Sequence, residues 1–241
     1  MNLRLICCDV FLRYACRLIS ESPHIVDVEF VPMLAHTHPD ELRAELQKRI
    51  DSRVDGRTYD ALLLGYGLCG NTTAGLTCSI PMIIPRVHDC CAMFMGSTDN
   101  FLRGFGESLS MRWSACGYFE RGHMENGGDI FGSHKTQPEY LKLVENYGED
   151  NADYIWETMH PKIETHEAAY INIDGFEYSG AREGFARRME ESGVQLKEMD
   201  GDLSFLGRLI NGPWDAETFL TVQPGKMITP VYDLYTVFTE V

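Results

Sequence analysis

The chain has 241 residues, enough to bury a full core in one large domain or two small lobes, and nothing in its composition suggests disorder. Its 36 Asp and Glu against 21 Lys and Arg give a formal charge of -15, which repels phosphate backbones and anionic membrane surfaces and argues against nucleic acid as a partner. The opening stretch MNLRLICCDVFLRYACRL is interrupted by Asp9, Arg13 and Arg17, so it reads as neither a secretory apolar region nor a membrane span, and the expected setting is soluble and cytoplasmic.

Leu3 to Cys8 is a short apolar run that predicts a strand, and Phe11 to Ile19 follows with Phe11, Tyr14, Ala15 and Leu18 at helical spacing. Val26 to Leu34 is the next strand. His38-Pro39-Asp40-Glu41 then reads as a helix start, with an early proline and carboxylates in the first turn, and the helix runs to about Arg53. Tyr59 to Tyr66 is a continuous apolar run of the kind buried in a parallel sheet. Pro81 to Val87 is the following strand, and its two prolines suit an edge or irregular position. A helix from Asp89 to about Phe105 comes after it.

A polar middle, about Glu120 to Asp150, predicts a long excursion or lid. Strands at Ala168 to Ile173, Val194 to Glu198 and Phe219 to Val222 then alternate with helices at Ser179 to Ser192 and Asp202 to Asn211. This is an α/β pattern, and two Rossmann-like βα lobes with largely parallel sheets are the economical reading. The N-terminal lobe with the middle excursion would occupy 1–150 and a smaller lobe 151–241.

Gly65-Tyr66-Gly67-Leu68-Cys69-Gly70-Asn71 matches the Gly-x-Gly-x-x-Gly fingerprint of a dinucleotide turn. That turn needs a helix opening on its last glycine and an acidic residue near the end of the next strand. Asp89 stands near the required place, but Asn71 to Ile80 leaves room for at most two helical turns. Glycines serving a tight turn, with a cysteine presented from it, account for the stretch better.

Without an export signal, the eight cysteines read as thiols, metal ligands or redox groups rather than disulfides, and none shows the C-x-x-C spacing of a zinc or thioredoxin motif. Any site must be assembled by the fold. Ligands in parallel α/β sheets bind beyond the carboxyl ends of the strands. Cys8 closes the first strand, Cys69 follows the third, and His88, Cys90 and Cys91 follow the fourth, all on one rim. Cys8, Cys69, Cys90 and His88 are the candidate metal ligands. Gly67, Gly70 and Asn71 would let the backbone approach a bulky inorganic group and point amide N–H groups at its sulfurs. His88, Asp89 and Arg86 are the candidate catalytic groups, as proton donor or anion clamp, with Asp89 also an obvious cap for the next helix.

Cys16 and Cys78 are expected to pack as small hydrophobes, and Cys7 to face the opposite side of its strand from Cys8. Cys91 and Cys116 stay open. His36 and His38 read as a helix entry on the same rim. Glu120, His123, Glu125, Asp129 and His134 read as a polar loop, and Arg182 behind Ser179-Gly180 as a charged helix face or an anion-binding helix start.

Leu64 to Asn71, Ile84 to Cys90 with its Pro-Arg-x-His-Asp-Cys core, Gly96-Ser97 and a cysteine closing the first strand together resemble an uncharacterised prokaryotic family classed only as a domain of unknown function. The resemblance covers most of the chain. It implies that Cys8, Cys69, His88 and Cys90 are recurring positions and that a corrinoid-dependent methyltransferase system is a possible partner. The segment Cys116 to His123 departs from the family pattern.

The layout is also similar to two-lobed proteins in which three cysteines from successive strand ends hold a 4Fe-4S cluster with one iron open to a small-molecule substrate. Zinc on His88-x-Cys90 and a distant cysteine is the alternative, with a substrate thiol in the fourth position. A metal-dependent enzyme and a metal or corrinoid accessory protein both remain open. If the glycine turn held a dinucleotide, NAD or NADP would stabilise the native state. The expectation is no change in melting temperature across a titration of either, measured by thermal shift.

Overall fold

In the computed structural model, which describes residues 1–33, 39–54, 56–106, 111–121, 138–159, 167–177, 180–231 and 233–241, the first apolar run becomes the axis of the main sheet. β1 (Asn2–Cys8) is buried from Leu3 to Cys8 because parallel strands flank it on both sides, β2 (Ile25–Val31) and β3 (Ala61–Gly65). β4 (Met82–Pro85) runs parallel to β3, and β8 (Phe219–Val222) closes the sheet antiparallel to β4. The order is β2-β1-β3-β4-β8. The chain leaves β1 toward one side for β2 and crosses to the other for β3. The crevice beyond the carboxyl ends of β1 and β3 is therefore the topological switch point, where open α/β sheets place their ligands.

Helices cover the sheet. α1 (Leu12–Ser20), joined to β1 by a 3-10 turn at Asp9–Phe11, packs on α9 (Ser204–Asn211), which also lies on β3 and β4. α2 (Pro39–Asp51) packs on β1 and buries Leu42, Leu46 and Ile50, one turn apart along a single stripe. Its C-terminus is tied down by Arg4. The Arg4 guanidinium donates to the carbonyls of Arg49 and Ser52, each at 2.8 Å, and through Nε to Glu29 at 2.8 Å. An arginine only 4% exposed in mid-strand thus adds charge-assisted hydrogen bonds to the helix-end carbonyls, of which Arg49 O also accepts from Ser52.

The second sheet has three parallel strands, β5 (Arg112–Ala115), β6 (Glu167–Asn172) and β7 (Gln195–Asp200). α5 (Cys116–Arg121) follows β5 directly, and α8 (Ala181–Glu191) links β6 to β7. Between the two sheets in sequence stand α3 (Cys90–Phe94) and α4 (Thr98–Phe105). α6 (Pro138–Tyr147) and α7 (Glu149–Met159) form a hairpin around a small cluster of its own, Tyr140, Ala152 and Trp156. β9 (Ile228–Pro230) and β10 (Phe238–Glu240) pair near the C-terminus. One apolar core runs under both sheets. Phe94 joins them, with ring centroids 4.6 Å from Phe11, 5.5 Å from Tyr14 and 5.8 Å from Trp113.

The α/β class with largely parallel sheets is as the sequence predicts; several details differ. The helix expected over 89–105 is broken at Gly96, where φ is +76° and a Cβ would stand 2.6 Å from that of Asp202, so the chain turns to let the start of α9 approach. Ser97 caps the second piece, accepting from the Asn100 N–H at 3.0 Å. β4 is not an edge strand, because β8 returns to cover it. Pro81 lies just ahead of the strand and Pro85 at its last residue. Part of the polar middle is helical. The two sheets also interleave along the chain, β5 already belonging to the second and β8 returning to the first, so the passage between sheets does not fall at residue 150.

The tightest contact between the two halves of the core is at Gly117, where a Cβ would lie 1.9 Å from the Val10 carbonyl oxygen. Gly117→Ala must push backbone from backbone. It is expected to cost about 3 kcal/mol in urea unfolding, the upper range of overpacking.

Candidate functional site

Three loops meet at the carboxyl rim of the first sheet. Cys8, 2% exposed, is both the last residue of β1 and the one that precedes the 3-10 turn. After β3 the chain runs Tyr66-Gly67-Leu68-Cys69, and after β4 Arg86-Val87-His88-Asp89 into α3. The two loops are bonded main chain to main chain, Leu68 N–H to Val87 O at 2.9 Å and Cys69 N–H to His88 O at 2.8 Å. Gly67 makes this possible: a Cβ there would meet the Val87 oxygen at 2.7 Å and the Asp89 nitrogen at 3.0 Å.

Cys69, Gly70 and Asn71 then take three successive left-handed conformations, with φ of +47°, +64° and +69°. For residues other than glycine this costs about 1 to 2 kcal/mol each, so neighbours must hold it. Arg43 of α2 donates to the Asn71 carbonyl at 2.7 Å and the Thr72 carbonyl at 3.3 Å, and the buried Thr73 hydroxyl donates to Gly67 O at 3.0 Å. A Cβ on Gly70 would meet nothing within 4 Å, so this glycine faces open space. No helix opens on it. Residues 69–75 are consecutive turns, so the helix that a dinucleotide fingerprint requires is missing from the loop.

Cys69 bears on Cys8, and both bear on Cys90. Burial pushes the Cys69 thiol up to about 12, opposed by the backbone of Gly67 and reinforced by Asp89. Cys8 is pushed up by burial, with the N–H groups of Val10 and Asp9 acting the other way and Cys69 adding to the rise. Cys90 is raised by burial first, then by Asp89, Cys69, Cys8 and Cys91. All three are therefore neutral thiols at pH 7 when nothing positive is bound, although the backbone at Val10, Asp9 and Gly67 acts to lower Cys8 and Cys69.

The other candidates fall into place around them. Asp89 caps α3, accepting from the Ala92 N–H at 3.2 Å, and burial raises its carboxyl against that hydrogen bond. His88 is half-buried and close enough to Asp89 to bear on its carboxyl. Arg86 is committed elsewhere. Its guanidinium donates to the carbonyls of Ala216, Thr236 and Phe238 and binds β4 to the C-terminal segment. Cys7 is on the other face, its thiol donating to Gly65 O at 3.6 Å, as alternation requires. Cys78, Cys91 and Cys116 are buried, whereas Cys16, expected to pack, is exposed on α1. Phe11, Tyr14, Ala15 and Leu18 do face the core as their spacing predicts, and Cys16 lies off that stripe. Glu120 pairs with Arg13 at 2.8 Å, and Arg182 with Glu198. His36, His38, His123, Glu125, Asp129, His134 and Ser179 lie outside the described residues.

Among the described residues, no three His, Cys, Asp or Glu side chains are grouped so as to hold a metal ion. Asp9, which the sequence reading passed over, is only 8% exposed, accepts from the Met33 N–H at 2.8 Å and stands 3.9 Å from Arg121 of α5. Its signal was a carboxylate placed directly after an apolar strand.

These features define an α/β protein whose main sheet carries Cys8, Cys69 and Cys90 on the loops at its switch point. The family described as Protein of unknown function (DUF1638) matches residues 30–210, and the chain belongs to it. No curated protein and no solved structure matches. Among the described residues, no helix is long and apolar enough to cross a membrane.

Burial raises the Asp9 carboxyl above its ordinary range despite Met33 and Arg121. A raised carboxyl adds stability only while protonated, below its unfolded value of about 3.9, and loses it as pH rises through the folded value, so at neutral pH the buried charge is a net cost. Asp9→Asn keeps an acceptor for Met33. It is expected to melt above the wild type at pH 7.5, with the gap closing as pH falls toward 4 in a thermal-unfolding series.

Proposed function

We propose that the chain is a metal-dependent protein in which Cys8, Cys69 and Cys90 bind a 4Fe-4S cluster through three thiolates. One iron would stay open to a small methylated or sulfur-containing substrate. The observation that carries this reading is the placement of Cys8, buried, and of Cys69 and Cys90, half-buried, on the loops at the switch point, where Cys69 bears on Cys8 and both bear on Cys90. Thiols pushed this far up are poor nucleophiles at neutral pH, so a covalent thiol mechanism is disfavoured and a bound cation is what would make them thiolates. Cysteine outnumbering histidine among the candidate ligands favours the cluster over zinc on His88 and Cys90.

An open iron supplies a Lewis acid or a one-electron centre. The protein's own part is to hold the sulfurs beside the backbone of Asp9, Val10 and Gly67, to exclude water by burying Cys8, and to offer the His88 imidazole as a proton donor beside the capped Asp89. Gly67, Gly70 and Asn71 form the backbone cradle. A corrinoid-dependent methyltransferase system is the partner this reading assigns, and a non-catalytic accessory role is distinguished from catalysis by turnover.

Protein purified without oxygen is expected to be brown, with iron and acid-labile sulfide in equal amounts. Serine resembles cysteine in size but is a poor ligand for a soft metal. Cys8→Ser, Cys69→Ser and Cys90→Ser are each expected to lower bound iron at least about tenfold, a range typical of weakened metal sites, while Cys16→Ser and Cys78→Ser stay near wild type. Full iron content in Cys69→Ser defeats the proposal, and colourless protein carrying zinc replaces it with the zinc site.

A further inference from the structure

At the opposite end of the main sheet from the cysteine rim, a cavity lies at the amino ends of β1, β3 and β4, beside the last residues of α2. It holds about 730 Å³, inside the range of roughly 300–1,000 Å³ usual for small-molecule sites. Hydrogen bonds fix its frame. Gln47 of α2 donates to the Thr77 carbonyl at 3.1 Å and accepts from the Thr77 N–H at 3.0 Å, which sets the helix against the segment leading to β4. The connection from α2 to β3 is tied at its start by Arg4, which donates to the Ser52 hydroxyl at 2.9 Å. At its end the Asp60 N–H donates to Asn2 O at 2.8 Å. The space between these anchors is thus built into the fold.

Its lining is of two kinds. Ile50, Leu62 and Ile80 are apolar, whereas the connecting loop contributes Arg53 and Arg57. In a chain of charge -15 such cations are expected to be spoken for, and these two are not. Arg53 makes no hydrogen bond or ion pair among the described residues. Arg57 stands 3.6 Å from Asp27, and the same carboxylate oxygen already accepts from the Tyr59 hydroxyl at 2.7 Å. The lining carboxylate, Asp51, is engaged by Gln47 at 3.0 Å. We infer that this cavity binds a small organic anion, whose acidic head group meets the guanidinium groups of Arg53 and Arg57 while its apolar body lies on Ile50, Leu62 and Ile80. Guanidinium donors pair with carboxylate, phosphate and sulfonate oxygens alike, and apolar walls leave most of the volume to carbon rather than to a bare inorganic ion. Because the cavity and the cysteines lie at opposite ends of the same strands, nothing in this inference rests on a metal at the rim.

The probe is 8-anilinonaphthalene-1-sulfonate, an apolar body with one sulfonate, compared with N-phenyl-1-naphthylamine, the same body without the charge. Both brighten on leaving water, so fluorescence titration reads their affinities. The wild-type chain is expected to bind the sulfonate with one-to-one saturation. With two charge-assisted hydrogen bonds removed, the Arg53→Ala/Arg57→Ala double variant should bind the sulfonate about tenfold more weakly or worse, and the neutral probe within about twofold of wild type. Val54→Trp, which sets an indole into the cavity from an exposed position of its lining, should weaken both probes. Arg103→Ala removes an exposed arginine of α4 outside the lining and should change neither. Every substitution falls on an exposed residue, so the fold is expected to be kept, which circular dichroism checks. Absence of saturable binding overturns the inference, as does wild-type affinity for the sulfonate in the double variant or in Val54→Trp. Equal loss of both probes in the double variant, or an equal loss in Arg103→Ala, also overturns it, because neither is recognition of an anionic head group by these two arginines.

Discussion

At the rim, two loops touch backbone against backbone at Gly67, and the rest of the site depends on that approach. With no side chain between them, the segments after β3 and β4 are joined by Leu68 N–H to Val87 O and Cys69 N–H to His88 O. That pairing sets Cys69 beside the start of α3, and so beside Cys90. It also leaves the chain to reverse within a few residues, which is why Cys69 is driven to a φ of +47°. Strain of this kind persists only where the surroundings over-determine it. Arg43 from α2 and Thr73 from within the loop supply that support.

The electrostatics of the crevice follow from burial. Three thiols and the Asp9 and Asp89 carboxyls sit where water is scarce, and all five are raised by desolvation before any other cause. Arg121 and His88 are the nearby cationic or ionisable counterweights, each set against one of those carboxyls. Such a crevice attracts positive charge and resists becoming more negative unless a cation enters with it. The overall charge of -15 acts in the same sense.

The main sheet was legible because its signals are local. Leu3 to Cys8 and Ala61 to Gly65 are apolar runs that must lie between other strands, and their ends placed Cys8 and Cys69 on one rim before any coordinate did. What stayed hidden was long-range. β5 is four residues, Arg-Trp-Ser-Ala, too short and mixed to show a period of two. Arg86 looked like a free cation beside a site because nothing near it in sequence reveals that its partners are carbonyls 130 to 152 residues on. Phe219 to Val222 was seen as a strand, but pairing partner and direction are not written in a strand's own letters, so its antiparallel return to β4 was not.

That late return affects how the protein is made. About 130 residues separate β4 from β8, so a sheet forming on the ribosome ends at β4 for roughly ten to thirty seconds at ordinary rates of synthesis. During that time Met82, Ile83 and Ile84 form an apolar, unpaired margin of the kind that recruits stray strands. Pro81 and Pro85, which bracket it, cannot donate to such an intruder. The two prolines that made this stretch read as an edge thus suit its nascent state, and they guard it until β8 emerges and closes the sheet.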